Sequence, residues 1–294
     1  MRATVKLPFL AALLAATMAN AAPSRIVSLN SCADPLLLAL ADKAQVAALT
    51  FNARDPSFSV YADKARSWPI ARGSAEEALA LKPDLIVTGP YLRKETLALI
   101  RGRGVPVIEV PPANSYADIV DQVRRVAAAI DRPQRGEALV RRMDAELAAI
   151  RPIAGGMVAA HYQRGGYLTG SGTLVDEMMR RVGLSNLAVK LGRPAISHLP
   201  LEAMVRARPD ILIIGSYSSS GRGADMLLHP ALAKAVPPSR RIRLPGAMTV
   251  CGGPFYPQAV RMLRDQLAAI GTRTASHDQK PARMPTNAPR PGVR

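Results

Sequence analysis

The chain has 294 residues, 48% hydrophobic and 21% charged, which supplies a sizeable core and excludes a disordered chain, a disulfide-stapled miniprotein and a multi-span membrane protein. Lys and Arg number 39 against 22 Asp and Glu, a formal net charge of +17. The arginines scatter over the exposed faces of predicted helices and a C-terminal tail, and aromatics are only 4%, so the charge describes a solvated basic surface and no nucleic-acid partner is expected.

Arg2 and Lys6 precede an apolar run from Leu7 to Met18, followed by Ala19-Asn20-Ala21-Ala22. A charged start, a short apolar stretch and small residues at the cut are the parts of a secretory signal peptide, expected over residues 1–22. The run is short of the roughly 20 apolar residues that cross a bilayer as a helix. No cysteine stands at the cleavage point, so no lipid anchor is expected there. Export makes disulfide chemistry available to Cys32 and Cys251.

Short β-branched runs then alternate with helical stretches. Residues 25–29 read as a strand, 34–40 as a helix and 46–49 as a strand; 85–88 and 105–110 are compact apolar runs with a helical 94–103 between them. Residues 157–161, 211–215 and 241–244 read as strands in the second half, with helices over 174–182 and 256–270. This alternation predicts an α/β fold with mostly parallel sheets.

The two halves also repeat a phrase. Glu76 stands seven residues before Pro83 and Glu202 seven before Pro209; each Pro-Asp is followed by an apolar run that stops at Gly89 or Gly215. In both, a short helix should end before Pro-Asp and a buried strand should follow. The matched position of the acid favours two similarly folded lobes over a common turn met twice. Between them, Ile119, Val123, Val126 and Ile130 mark one helix, Arg132-Pro133 interrupts, and Ala138, Leu139, Met143, Leu147 and Ile150 mark another of about 17 residues, about 25 Å long. The expected domains are residues 23–132 as an N-terminal α/β lobe, 133–151 as a linking helix and 152–271 as a C-terminal α/β lobe. Residues 272–294 are expected to be a disordered basic tail.

The Arg25-Ile-Val-Ser-Leu start, the Leu81-Lys-Pro-Asp-Leu-Ile-Val phrase, its Leu201-Glu-Ala…Arg-Pro-Asp echo and the central long helix resemble the periplasmic substrate-binding proteins of ABC importers for cobalamin and iron–siderophore complexes. The resemblance covers about residues 24–271. It implies two α/β lobes, each with a central mostly parallel sheet, joined by one long helix, with ligand held between them. It further implies a periplasmic monomer that delivers an iron–siderophore, haem or corrinoid to an ABC permease with its ATPase subunits. One glutamate per lobe would dock on permease arginines; Glu76 and Glu202 match those positions, with Glu77 next to the first. The resemblance also places Arg54 and Trp68 in a segment that touches ligand, Arg54 drawing an anionic chelate.

Ligands in open α/β lobes sit beyond the carboxyl ends of strands. That rule selects residues 30–34, 90–91, 216–218 and 249–254. Tyr91 and Tyr217 fall two residues after Gly89 and Gly215 and could sandwich a ligand. Cys32 and Cys251 should lie at the cleft, one per lobe. A disulfide across it, thiols facing the ligand, and unrelated half-buried cysteines all remain open. The expected ligand-binding set is therefore Cys32, Arg54, Trp68, Tyr91, Tyr217 and Cys251.

Enzyme motifs are absent. Gly170-Ser171-Gly172 lacks nucleophile-elbow spacing, no phosphate or dinucleotide glycine pattern occurs, and Asp34, His161, His198 and His229 have no metal-ligand spacing. No catalytic residue and no resident cofactor or protein metal site is expected, the metal being part of the cargo. A zinc- or manganese-type ion binder is the first alternative and an exported hydrolase the second.

Overall fold

The computed structural model describes residues 22–153, 155–215 and 225–278. The expected signal peptide up to Ala21, Tyr217 and the tail from residue 279 lie outside the described residues.

The N-terminal lobe is built from β1 (Ile26–Ser28), α1 (Asp34–Leu40), β2 (Val46–Thr50), α2 (Ala62–Ala65), β3 (Ile70–Ala71), α3 (Ala75–Ala80), β4 (Leu85–Thr88), α4 (Lys94–Arg101) and β5 (Val107–Glu109). Its five strands run parallel in the order β3-β2-β1-β4-β5. Two helices follow, α5 (Tyr116–Ala129) and α6 (Pro133–Ala148).

The C-terminal lobe comprises β6 (Val158–His161), β7 (Tyr167–Thr169), α7 (Leu174–Arg181), β8 (Ser185–Asn186), α8 (Leu187–Lys190) and β9 (Ile196–His198). It continues with α9 (Leu201–Ala207), β10 (Ile211–Gly215), α10 (Asp225–Leu228), α11 (Pro230–Ala235), β11 (Arg241–Leu244) and α12 (Tyr256–Asp278). Its main sheet is parallel, β11-β10-β6-β8, with β7 and β9 paired antiparallel beside it.

The repeated phrase has a physical basis. Lys82 and Arg208, each just before the Pro-Asp, take left-handed backbone angles (φ 49° and 43°) that stop α3 and α9. Asp84 then accepts hydrogen bonds from the Ser24 and Arg25 N–H groups, and Asp210 from the Val158 N–H. In each lobe that carboxylate ties the strand after Pro-Asp to the start of the lobe's first strand. These are the pairs β4 with β1 and β10 with β6.

Helix α6 carries the chain between lobes, and α5 folds back along it. Gly136 permits this approach, because a Cβ there would stand 2.6 Å from Ala127 Cβ. Arg124–Glu137 at 2.7 Å joins the two helices, and Arg132 and Arg135 both reach Asp42 at 2.8 Å, fixing the hairpin to the N-terminal lobe. One continuous core runs from Ile26, Leu37 and Leu85 through Val123, Val126 and Met143 to Ile213, Leu244 and Leu263, so the inner faces of both sheets share it. Each outer face has a separate core, small in the N-terminal lobe (Val27, Ala75, Ala78, Ile86, Ile100) and larger in the C-terminal one.

Two expectations shift. Helix α12 runs to Asp278, past the tail boundary expected at Thr272; after Pro257 in its first turn, the next proline is Pro281. Strands β3, β7, β8 and β9, of two or three residues, were not anticipated.

Candidate functional site

A cleft of about 470 Å³ opens between the lobes at the carboxyl ends of both sheets. The N-terminal lobe contributes Asn30 and Cys32 after β1, Pro90 and Tyr91 after β4, and residues 110–114 after β5. The C-terminal lobe contributes His161, Gln163, Thr169, the first residues of α7, Ile196 and residues 249–252. Gln122, from α5, lines it as well.

The loop after β1 is held from below. Asn30 Oδ1 accepts from the Cys32 N–H at 3.0 Å while its Nδ2 donates to the Val110 carbonyl at 3.4 Å. Gly89 makes this arrangement fit, since a Cβ there would meet Asn30 Nδ2 at 2.6 Å. Asn52 donates to Ser31 Oγ, Ser31 meets Thr50 Oγ1, and Thr50 donates to Asp34. Asp34 is buried, and desolvation pushes its carboxyl up to about 7 despite the hydroxyls of Ser28 and Thr50.

Cys32 and Cys251 are joined in a disulfide that forms part of the cleft wall, with Cα atoms 5.2 Å apart. The thiol and unrelated-cysteine readings therefore do not describe this structure. The segment after Cys251 is seated between lobe and linker. A Cβ on Gly252 would lie 2.6 Å from Ala113 Cβ and 2.7 Å from Ile119, and the Phe255 ring meets Tyr61 edge-on, centroids 6.2 Å apart. Close by, Tyr116 stacks on Tyr256, Arg181 lies over both rings, and Glu177 accepts from the Tyr116 N–H at 2.7 Å.

His161 ends β6 with its ring buried and Nδ1 2.8 Å from Thr169 Oγ1. Burial pulls its pKa down to about 4, which keeps the imidazole neutral at physiological pH. Gln122 is 3% exposed; its Nε2 donates to the Pro111 carbonyl, and its Oε1 is buried without a protein partner. Among the described residues no group of three or more His, Cys, Asp or Glu is placed to hold a metal ion.

Of the residues selected from the sequence, Cys32, Tyr91 and Cys251 come together at the cleft. Trp68 does not: it is buried in the shared core, where the largest aromatic surface finds its partners. Arg54 does not either, for its guanidinium donates to the Ala65 and Trp68 carbonyls and so fixes the loop after α2. Sequence reasoning missed residues 111–114, although the strand-end rule applied to β5 points straight at them. It also passed over His161, whose partner Thr169 comes from β7, and Gln122, which lies mid-helix.

Glu76 and Glu202 are both exposed and both occupy the second residue of their helices, α3 and α9. Hydrogen bonds from its own backbone and Ser74 hold the Glu76 carboxyl below the usual range. Glu77 is engaged locally, accepting from the Arg72 N–H at 2.7 Å.

Two α/β lobes, one crossing helix and a cleft of ligand-holding size at the carboxyl ends of both sheets define a two-lobed binding protein. The profile of the family described as Periplasmic binding protein matches residues 26–246, and the chain belongs to that family. It is 31% identical to the periplasmic heme-binding protein RhuT of Roseiflexus sp. RS-1 in its apo form, with a TM-score of 0.71 over 84% of this chain and 99% of that one. A cobalamin-binding protein of Halobacterium salinarum is 24% identical over 229 residues, 74% of this chain; the match spans 59% of that relative's length. A structure described as the ABC-type Fe3+-hydroxamate transport system of Saccharomonospora viridis shares the fold at 18% identity, TM-score 0.65, over 84% of this chain and 93% of that one. The first two of these relatives are named as binding proteins.

Proposed function

We propose that the chain is the solute-binding component of an ABC importer, capturing an iron–siderophore, haem or corrinoid between its lobes and delivering it to the permease. The reading rests on one observation above all: the cleft draws its walls from both lobes at their strand ends, while equivalent helices carry the exposed acids Glu76 and Glu202. Export through residues 1–22 places the protein in the periplasm as a monomer that works by binding and release, without turnover. It carries no resident cofactor; the metal enters with the cargo. Cys32, Tyr91 and Cys251 contact ligand in this reading. Arg–carboxylate contacts at Glu76 and Glu202 give two-point docking that fixes register as well as attraction.

The test is a combined Glu76→Ala and Glu202→Ala variant, assayed for cargo binding by calorimetry and for uptake in cells that carry the cognate permease. Uptake should be abolished while ligand affinity stays within about twofold, since both acids lie outside the cleft lining. Normal uptake by the double variant removes the docking assignment.

A further inference from the structure

Residues 245–255 leave the C-terminal lobe after β11 and re-enter it at α12, which packs on β11 and α7. Between those points they form a strap laid against the N-terminal lobe. Pro245, Ala247 and Met248 face Val60, Ala62 and Arg66 across a second inter-lobe cavity of about 260 Å³. Residues 249–252 line the 470 Å³ cleft. Successive halves of one strap thus front two cavities, and the second half carries Cys251, bonded to Cys32 of the opposite lobe.

The two sides of that bond are held unequally. The Cys32 loop is braced by Asn30 on Val110 and by Ser31 with Thr50 and Asn52. The strap instead turns its hydrogen bonds inward: the N–H groups of Met248, Thr249 and Val250 and the Thr249 hydroxyl all donate to the Pro245 or Gly246 carbonyl. It meets the other lobe and the linker by packing, Phe255 on Tyr61 and Gly252 on Ala113 and Ile119. Val250 beside Cys251 is half exposed, so little buried area resists its displacement. Breaking the bond therefore releases the strap and leaves the loop in place. The chain's two cysteines are both in this bond, Cys32 is partly exposed, and both border the open cleft, so a small thiolate reaches the sulfurs from the cleft with the fold intact.

Resting on the binding-protein reading, we propose that the Cys32–Cys251 bond is a thiol–disulfide exchange site for a dithiol, and that its reduction frees the strap, joins the two inter-lobe cavities and loosens the hold on cargo. A thiolate of the dithiol attacks Cys32 Sγ to give a mixed disulfide, and Cys251 leaves as a thiolate that takes up a proton. The second thiol of the dithiol then displaces Cys32, which is protonated in turn. The protein gains two electrons and two protons, and the dithiol ends as a disulfide. Cargo in the cleft covers the bond. By linkage, the factor by which reduction weakens cargo binding is the factor by which bound cargo disfavours reduction.

The test compares the oxidised mature protein, the same protein reduced by dithiothreitol in native buffer and then freed of it under nitrogen, and the combined Cys32→Ser and Cys251→Ser variant. Alkylation and mass spectrometry count thiols, circular dichroism reports the fold, and hydrogen exchange reports the strap. Both thiols should form while the dichroism spectrum holds, and in the reduced and serine forms protection should fall at least about tenfold over residues 245–255 but stay within about twofold over residues 26–34. Gly252→Ala keeps the bond, but its Cβ would crowd Ala113 and Ile119; by unseating the strap it should speed reduction at least about threefold. Haemin, cyanocobalamin and ferrichrome are the cargo probes. A probe that binds the oxidised protein should slow its reduction and dissociate at least about tenfold faster from the serine variant. Reduction only once the chain unfolds, equal strap protection in oxidised and reduced forms, or unchanged probe release overturns the inference and leaves the importer reading standing. Binding of none of the three probes overturns the chelate reading, and the exchange pattern alone then decides whether the strap is released.

Discussion

Helices α3 and α9 occupy equivalent places in the two lobes and present equivalent glutamates, yet they are secured by different means. Helix α3 rests on two alanines, Ala75 and Ala78, in a five-residue outer core, and is fastened at its start: Ser74 Oγ accepts from the Glu77 N–H at 3.1 Å, and Glu77 reaches back to Arg72. Helix α9 has Pro200 at its N-cap and no side-chain cap, but buries Met204 fully in a core that includes Tyr162, Leu212 and Leu232. Equal placement at the surface thus comes from local hydrogen bonding in one lobe and from packing in the other. A repeat in sequence preserves the position of a helix start more faithfully than the forces that hold it there.

The largest perturbation tests what the lobes have in common. Replacing both Cys32 and Cys251 by serine releases a loop constraint spanning 219 residues, worth about 5 kcal/mol on a chain-entropy basis. Thermal unfolding should shift down but remain one transition, because the inner faces share a core; two separated transitions would show that the lobes are independent. Met204→Ala comes next, at about 3 kcal/mol, and should loosen the presentation of Glu202 while leaving that of Glu76 unchanged, as read by hydrogen exchange in α9 and α3.

The lobes should also respond to pH with opposite signs. Asp34, in the first, has a folded pKa of about 7 above its ordinary 3.8. Its contribution is fully present below pH 3.8 and is lost as pH rises through 7. His161, in the second, has a folded pKa of about 4 below its ordinary 6.5; its contribution is present above pH 6.5 and is lost as pH falls through 4. Each is on the order of 3 kcal/mol at full extent, so the two slopes largely cancel between pH 4 and 6.5 in the intact protein. Asp34→Asn should gain stability at pH 8 relative to pH 4, and His161→Gln should lose the acid-side decline; denaturant titrations at pH 4, 6 and 8 measure both. The smallest effect is Ser74→Ala, about 1 kcal/mol, confined to α3. An equal loss of protection in α9 would undo the contrast between capping and packing.

Much of this architecture was legible because its signals are local. The strand after each Pro-Asp is a four- or five-residue β-branched run, and the stop before it recurs at the same spacing. Strands of two or three residues carry no period, so β3 and β8 were silent. At the site, residues flanking strand ends were readable, and Cys32, Tyr91 and Cys251 followed from that rule. Trp68 and Arg54 did not, because the sequence cannot distinguish an aromatic that fills a core or an arginine that caps carbonyls from ones that face a ligand. Gln122 and His161 were hidden for the converse reason: each acquires its role from a neighbour brought in by tertiary structure, Pro111 for one and Thr169 for the other.

The disulfide also changes the molecule's topology. The backbone passes from one lobe to the other once, along α6, and the Cys32–Cys251 bond supplies a second, covalent return. Residues 32 to 251 therefore form a closed ring that threads through both halves. A single backbone break between α6 and β6 would open that ring into a linear path without releasing either half.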